Sequence, residues 1–316
     1  MPDMRFIRRP RWTLPSSAET PEAVFASRRQ VLAGLGALAL TPAIAGGARA
    51  EAGLFPAPRN DRFKLDRALT PEADNAEFNN FYEFGTSKQI ARAAAKLKTR
   101  PWTVKIDGLV EKPLEIDAED LMRKLGLEER LYRLRCVEAW SMTIPWTGFP
   151  LSRLVALARP LGSAKYLRME TFNDPKVAVG QAKSWFPWPY VEGLTMAEAA
   201  NELAFIAMGA YGKPLPNQHG APLRLAVPWK YGFKSVKSIV RFSFVEERPK
   251  TFWEALGPGE YGFWANVNPK VAHPRWSQAS EQVLGTRDRV PTLLYNGYAE
   301  EVADLYKGLE GEKLFV

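Results

Sequence analysis

The chain has 316 residues, 46% hydrophobic and 25% charged, enough apolar material for a real core in one large domain or two ordinary ones. A single cysteine, Cys136, excludes an intramolecular disulfide framework and any Cys-rich zinc or iron–sulfur site, and two histidines leave little for a histidine-built metal centre. The net charge of +8 suggests an anionic partner, yet seven arginines against three acids in residues 1–50 carry half of it, and without a basic recognition helix nucleic acid is not an expected partner.

The first element in chain order is an address. Ser27-Arg28-Arg29-Gln30-Val31-Leu32 precedes a short apolar run, residues 33–47, and Ala48-Arg49-Ala50 follows as a small-x-small cleavage signal. That run is too short and too glycine-rich to span a bilayer. The paired arginines resemble the twin-arginine (Tat) signal. Residues 1–50 are therefore expected to be a Tat signal peptide, cleaved after Ala50, that sends the folded protein to the periplasm. A frequent reason to fold before export is a complex cofactor inserted in the cytoplasm. In an oxidising compartment a lone thiol should be either buried or occupied. Gly34-Leu35-Gly36-Ala37-Leu38-Ala39 imitates a dinucleotide-binding turn, but it lies in this leader without the required strand and downstream acid.

Residues 51–78 read as an extended N-terminal arm and 79–316 as one domain. Trp102 to Ile106 alternates like a strand, and Asp107-Gly108 supplies a turn. Ile116-Asp117 leads into a short helix with Asp117 as N-cap. Tyr132 to Val137 alternates again, with its end at Cys136. Leu151 to Leu161 looks helical, Tyr166 to Phe172 looks like a strand, and Ala221 to Phe244 holds strand patterns broken by Pro228 and Gly232. Ala299 to Leu309 closes the chain as a helix. Short strands and helices interleave without βαβ spacing, which predicts an α+β fold with mixed sheets in a single domain.

The chemistry gathers around Cys136. Arg135-Cys136-Val137-Glu138-Ala139-Trp140 with Pro145 to Leu151, and His219 to Arg224 with Val227 to Lys237, resemble the cysteine segment and cofactor loop of the sulfite-oxidase superfamily. Asn79 to Phe84, Trp140-Ser141-Met142 and Tyr261 to Trp276 are similar to one branch, the periplasmic protein-methionine-sulfoxide reductase catalytic subunits. This resemblance implies a sulfite-oxidase-type molybdopterin fold and one Mo-molybdopterin per chain without a nucleotide extension, with Cys136 as the metal's protein ligand. It further implies a pterin pocket of Asn79, Tyr82, Glu83, Thr171, His219, Arg224, Ser235, Val236 and Lys237. The implied reaction removes oxygen from methionine sulfoxide in oxidised periplasmic proteins. Electrons would come from quinol through a haem b-containing integral membrane subunit, since this chain has no haem or iron–sulfur ligands of its own. At position 219 the reductase branch leads one to expect asparagine, whereas histidine is usual in the wider superfamily.

The residues themselves agree. A thiolate is a soft donor suited to a redox-active metal, and a dithiolene cofactor supplies the other sulfurs. Arg224 can grip a phosphate bidentately and Lys237 can add charge. Without the motif, Arg224, Lys230, Lys234 and Lys237 would read as the solvated face of a strand pair. Strand alternation points Arg135 away from the thiol, and a continued strand would put Glu138 on the thiol's face, as a candidate for proton handling or a plain salt bridge. The alternatives are a sulfite dehydrogenase-like molybdoenzyme, which needs arginines converging on the metal, and a noncatalytic periplasmic binding or chaperone-like protein. A hydrolase has little support, because G-x-S-x-G is absent and neither histidine has an evident partner.

Overall fold

The computed structural model describes residues 53–65, 67–286 and 288–316. The expected signal segment and its cleavage site lie outside these residues. The described residues fall in one compact unit. Its core runs through two mixed sheets.

The first sheet is built from β1 (Thr103–Gly108), β2 (Leu114–Asp117), β5 (Tyr166–Thr171), β6 (Val191–Thr195) and β10 (Ile239–Val245), in the order β2-β1-β10-β5-β6. Only the β1–β10 pairing is parallel. Along β5, Leu167, Met169 and Thr171 are buried at every second position, the period of a strand with one covered face. The second sheet contains β3 (Glu128–Cys136), β4 (Trp140–Pro150), β7 (Phe205–Ala210), β8 (Lys213–Pro214), β9 (Arg224–Ala226), β11 (Ser280–Val283) and β12 (Arg289–Pro291). Here β3 pairs with β4 in register from Glu128↔Gly148 to Cys136↔Trp140, so Cys136 sits at the turn end of a long hairpin. Buried at every position, β7 reads as a continuous apolar run rather than an alternating one.

Local chemistry sets the boundaries. Asp117 caps the helix Ala118–Leu125, accepting from the Glu119 amide at 2.8 Å. Thr195 and Glu198 form a capping box on Met196–Ala200. Asp107 does not turn the chain as expected; it stays within β1, where its carboxylate accepts from Arg241 Nε and Ser243 Oγ on β10. The expected helix at 299–309 resolves into Ala299–Val302 followed by a 3₁₀ turn, Ala303–Tyr306.

The stretch expected to be an extended arm is extended only in part. The Asn60 amide donates to the Glu129 carbonyl and the Glu129 amide to the Pro58 carbonyl. The Thr70 amide donates to the Thr143 carbonyl on β4 while Thr70 Oγ1 accepts from the Thr143 amide, and residues Glu72–Glu77 then form a helix. That helix delivers Asn75 and Phe78 to the same cavity as Cys136.

Lys230 and Lys234 do not lie on a solvated face. Both are fully buried beneath the 227–237 loop, each against a buried carboxylate: Lys230 Nζ is 2.5 Å from Glu198 Oε1, and Lys234 Nζ is 2.5 Å from Glu192 Oε2. Lys230 Nζ also donates to the Trp264 carbonyl and to Asn266 Oδ1, so each of its protons has an acceptor. The Lys234–Glu192 contact is an ion pair lying off the hydrogen-bond axis.

Candidate active site

A cavity of about 530 Å³ opens against strands β3, β4 and β9 of the second sheet, and the Cys136 side chain lies in its wall. The hairpin explains the placement. Strand β3 ends at Cys136, the chain turns through Ala139 at φ 62° with its amide donating to the Cys136 carbonyl at 3.1 Å, and Trp140 begins β4. Glu138 reaches the thiol's side through this turn, since the strand does not continue past Cys136. Its Oε2 is 3.6 Å from Cys136 Sγ and accepts from Trp140 Nε1 at 2.8 Å, from Asn80 Nδ2 at 3.0 Å and from Lys88 Nζ. Asn80 Nδ2 is also 3.6 Å from the sulfur.

Burial pushes the Cys136 thiol up to about 12, and the Glu138 charge adds to the effect. As a free group it is therefore no nucleophile, which counts against a cysteine hydrolase. Burial also acts to raise Glu138, but hydrogen bonds from Lys88, Trp140 and Asn80 outweigh it and hold the carboxyl below its usual range. Arg135 points to the other face, as strand alternation requires. Its guanidinium is fully buried, donating to Glu281 Oε2 at 2.9 Å, to Gln278 Oε1 at 2.8 Å and to the Cys136 carbonyl. Gln278 and Trp276 in turn donate to the Val137 carbonyl at 2.9 and 2.8 Å. The backbone carrying the thiol is thus bonded from behind at two successive carbonyls.

The deep end of the cavity is cationic. Arg224 donates to the carbonyls of Leu225, His219 and Ser235 at 3.1, 3.1 and 3.2 Å, and its guanidinium stands 5.0 Å from the Trp146 ring centroid. Lys237 Nζ donates to the Asn80 carbonyl at 2.7 Å and faces the Phe81 ring. Among the described residues, neither cation has a carboxylate within ion-pair distance. Burial lowers Arg224 to about 10 and Lys237 to about 7; in the second case the Arg224 charge adds to the effect. Lys237 opens onto the cavity while lying deep below the molecular surface. Gly220, at φ 101°, lets the His219 loop close on this lysine: a Cβ there would stand 2.6 Å from Lys237 Cβ.

His219 is buried between the cations and helix Glu72–Glu77. Its Nε2 contacts the Asn75 carbonyl at 3.2 Å, while Nδ1 has no partner. Burial lowers this histidine to about 4, so the ring is neutral. Glu83 is raised by burial to about 7 against opposing help from its own backbone, Lys237 and Thr171.

The cavity brings together Cys136, Glu138, Asn79, Tyr82, Glu83, His219, Arg224, Ser235, Val236 and Lys237. Thr171 does not line it. That residue braces the site from behind, its Oγ1 donating to the Lys237 carbonyl at 2.7 Å and its side chain bonding Glu83. Sequence reasoning passed over Asn80, Lys88, Trp253 and Arg275. Asn80 and Arg275 stood inside segments that carry the resemblance, but nothing in spacing distinguishes a residue that touches the thiol from its neighbours.

Among the described residues, no three His, Cys, Asp or Glu side chains converge as a protein-only metal site, so a metal at Cys136 must take most of its ligands from elsewhere. A lone thiol beside cations without an ion-pair contact and an orphaned ring nitrogen matches an anionic cofactor that brings its own donors.

Comparison with known proteins decides the family. Residues 91–253, just over half of the chain, match the family model described as an oxidoreductase molybdopterin binding domain. The chain belongs to the molybdopterin-binding oxidoreductases. Within that family it is 52% identical over 319 aligned residues to the protein-methionine-sulfoxide reductase catalytic subunit MsrP of Pseudomonas syringae pv. tomato, covering 93% of this chain and 95% of the relative. Among solved structures, the sulfane dehydrogenase SoxCD from Paracoccus pantotrophus aligns at 21% identity with a TM-score of 0.43, over 75% of this chain and 58% of that one. The α+β architecture with mixed sheets is the one expected for a molybdopterin-binding oxidoreductase.

Proposed function

We propose that this protein is a molybdenum-dependent reductase of methionine sulfoxide residues in periplasmic proteins. It would be exported folded by the Tat route and receive electrons from quinol through a haem b-containing membrane subunit. The observation that carries the reading is the Cys136 thiol facing one cavity with Arg224 and Lys237, two cations that among the described residues have no carboxylate at ion-pair distance. The 52% identical relative, named for this activity, supports it.

Cys136 would ligate the metal. Arg224, Lys237 and the Ser235–Val236 backbone would hold the phosphate end of the pterin, while His219 Nδ1, Asn79, Tyr82 and Glu83 would meet its ring edge. Thr171 keeps Glu83 and the Lys237 backbone in place. When bound, the molybdenum cofactor supplies two-electron oxygen-atom transfer from sulfur. The chain's own residues set the conditions for it. Arg135, Gln278 and Trp276 fix the backbone that presents the sulfur. Glu138 holds the Lys88 ammonium and the Asn80 amide beside it, the side from which protons for the released water would come.

A sulfite dehydrogenase-like site would need free arginines converging on the metal. Of the two arginines lining the cavity, Arg224 lies at the deep end, where it would hold the cofactor's phosphate, and Arg275 is paired with Glu260 at 2.7 Å. Tyr82, Trp253 and Tyr261 form a largely aromatic mouth suited to a thioether-bearing side chain.

Metal analysis and reduced-dye turnover of methionine sulfoxide, on wild type and Cys136→Ser, test the reading. One molybdenum per wild-type chain and loss of turnover in the variant are expected. Equal metal content and equal turnover in the two proteins would defeat it. Competition with sulfite at the same site separates the alternative.

A further inference from the structure

Beyond the cavity mouth, the loop joining β5 to β6 exposes its largest apolar side chains. Trp185 is 68% exposed and Val179 58% exposed, above any other large hydrophobic residue described. This loop is anchored. Gln181 accepts from the Asp174 amide at 2.7 Å and donates to the Phe172 carbonyl at 2.7 Å, and the Gly180 amide donates to the Glu83 carbonyl at 2.8 Å. At Gly180 the backbones pass so closely that a Cβ would stand 2.1 Å from the Tyr82 carbonyl oxygen. The loop is therefore bonded to the segment that lines the cavity. Pro187 and Pro189 stiffen its return.

Ring contacts continue that connection at the surface. Trp185 leans on Phe186, Phe186 meets Tyr82 edge-on, and Tyr82 meets Trp253, which lines the cavity with it. The Tyr82–Phe186 and Phe186–Trp185 centroid separations are each 6.1 Å, so at most about four extended residues span the way from Tyr82 to Trp185. An indole left in water next to a wall of aromatic rings is a preformed contact surface, and its two side-chain torsions make ordering it cheap.

We propose that Trp185, with Val179 in the same loop, is a substrate-docking platform that holds apolar residues of the polypeptide within about four positions of the reacting sulfoxide. This rests on the reading of a polypeptide sulfoxide as substrate. The cavity has to contain both the cofactor and the reacting side chain, so the rest of the polypeptide lies outside it, across the mouth. Methionine is chiefly a core and apolar-interface residue, and its oxidation disrupts such packing. The segments that carry sulfoxide are thus apolar on either side, and an indole two ring contacts from Tyr82 meets them. Free methionine sulfoxide does not reach the platform.

The test uses the molybdenum-loaded enzyme with reduced dye, so that no membrane subunit takes part. Wild type, Trp185→Ala and Val179→Ser are compared on three substrates: free methionine sulfoxide, a peptide with Leu at the third and fourth positions from the sulfoxide on both sides, and the same peptide with Ser there. Trp185→Ala should raise KM about tenfold on the Leu peptide, with kcat unchanged and little effect on the other two substrates. Val179→Ser should act in the same direction more weakly. Equal KM values for the two peptides in wild type would overturn the platform, as would an equal loss on free sulfoxide and Leu peptide in Trp185→Ala. Turnover of free sulfoxide by wild type keeps the failure of this proposal distinct from failure of the proposed function, which would abolish it.

Discussion

Two sets of buried cations lie within a few residues of each other on the 224–237 segment, and they are treated in opposite ways. Behind the cavity, Lys230 and Lys234 each meet a buried glutamate, and on the neighbouring strand Arg135 meets Glu281. Facing the cavity, Arg224 and Lys237 bond only backbone carbonyls and lie against aromatic rings, and among the described residues neither has a carboxylate at ion-pair distance. The nearby Glu83 carboxyl is itself pushed up by burial to about 7 and offsets Lys237 only in part. Desolvating an ion costs several kcal/mol, and dipoles return only part of that. The first set is neutralised inside the fold and belongs to its stability. The second is left for a partner the chain does not supply, so its charge belongs to binding.

The largest expected effect breaks the paired set. Lys230→Met leaves Glu198 buried with Tyr306 and the Thr195 amide but no counter-charge, a loss of about 3–5 kcal/mol that lowers Tm by roughly 10 °C in calorimetry. A drop no larger than that of a surface substitution would mean the pair is not structural.

Arg224→Met comes next and probes the other set. Cofactor content after purification should fall, with anion binding weaker by about 10- to 100-fold. The cofactor-free variant should be no less thermostable than cofactor-free wild type, because an unneutralised buried cation has been removed. A Tm loss matching that of Lys230→Met would erase the distinction between the two sets.

His219 gives a pH signature. Its folded pKa is lowered by burial to about 4 from an ordinary 6.5, so the unfolded chain binds the proton first as pH falls. The stability it contributes is present above pH 6.5 and lost progressively down to about 4, on the order of 2–3 kcal/mol. Urea midpoints between pH 7 and 4.5 should fall more steeply in wild type than in His219→Asn, and parallel slopes would refute this. At the small end stands an exposed pair: Asp304→Asn, which removes the Lys307 contact on the surface, should change stability by less than about 0.5 kcal/mol.

The parts of the site that were legible in the sequence share a physical character. Cys136, the His219–Arg224 segment and the Ser235–Lys237 run are contiguous motifs, and the Asp117 cap and the β3 alternation are local rules that neighbouring residues enforce. What could not be read depended on distant partners. Lys230, Lys234, Arg224 and Lys237 look alike as basic residues on one stretch, and only the arrival of Glu198 and Glu192 from other elements makes two of them structural. Glu138 was expected on the thiol's side by strand alternation and arrives there by a turn, with Lys88 and Asn80 brought to it from residues far earlier in the chain. Strand β7, buried at all six positions, gave no alternation to recognise.

By itself, then, the amino-acid order determined which atoms could serve as ligands and where short elements begin and end, because those properties depend on residue type and on neighbours a few positions away. Tertiary structure alone decided which charges are neutralised, which face the cavity and which aromatic rings join its mouth to the surface. Those outcomes rest on contacts between residues 30 to more than 100 positions apart, for which sequence spacing carries no signal.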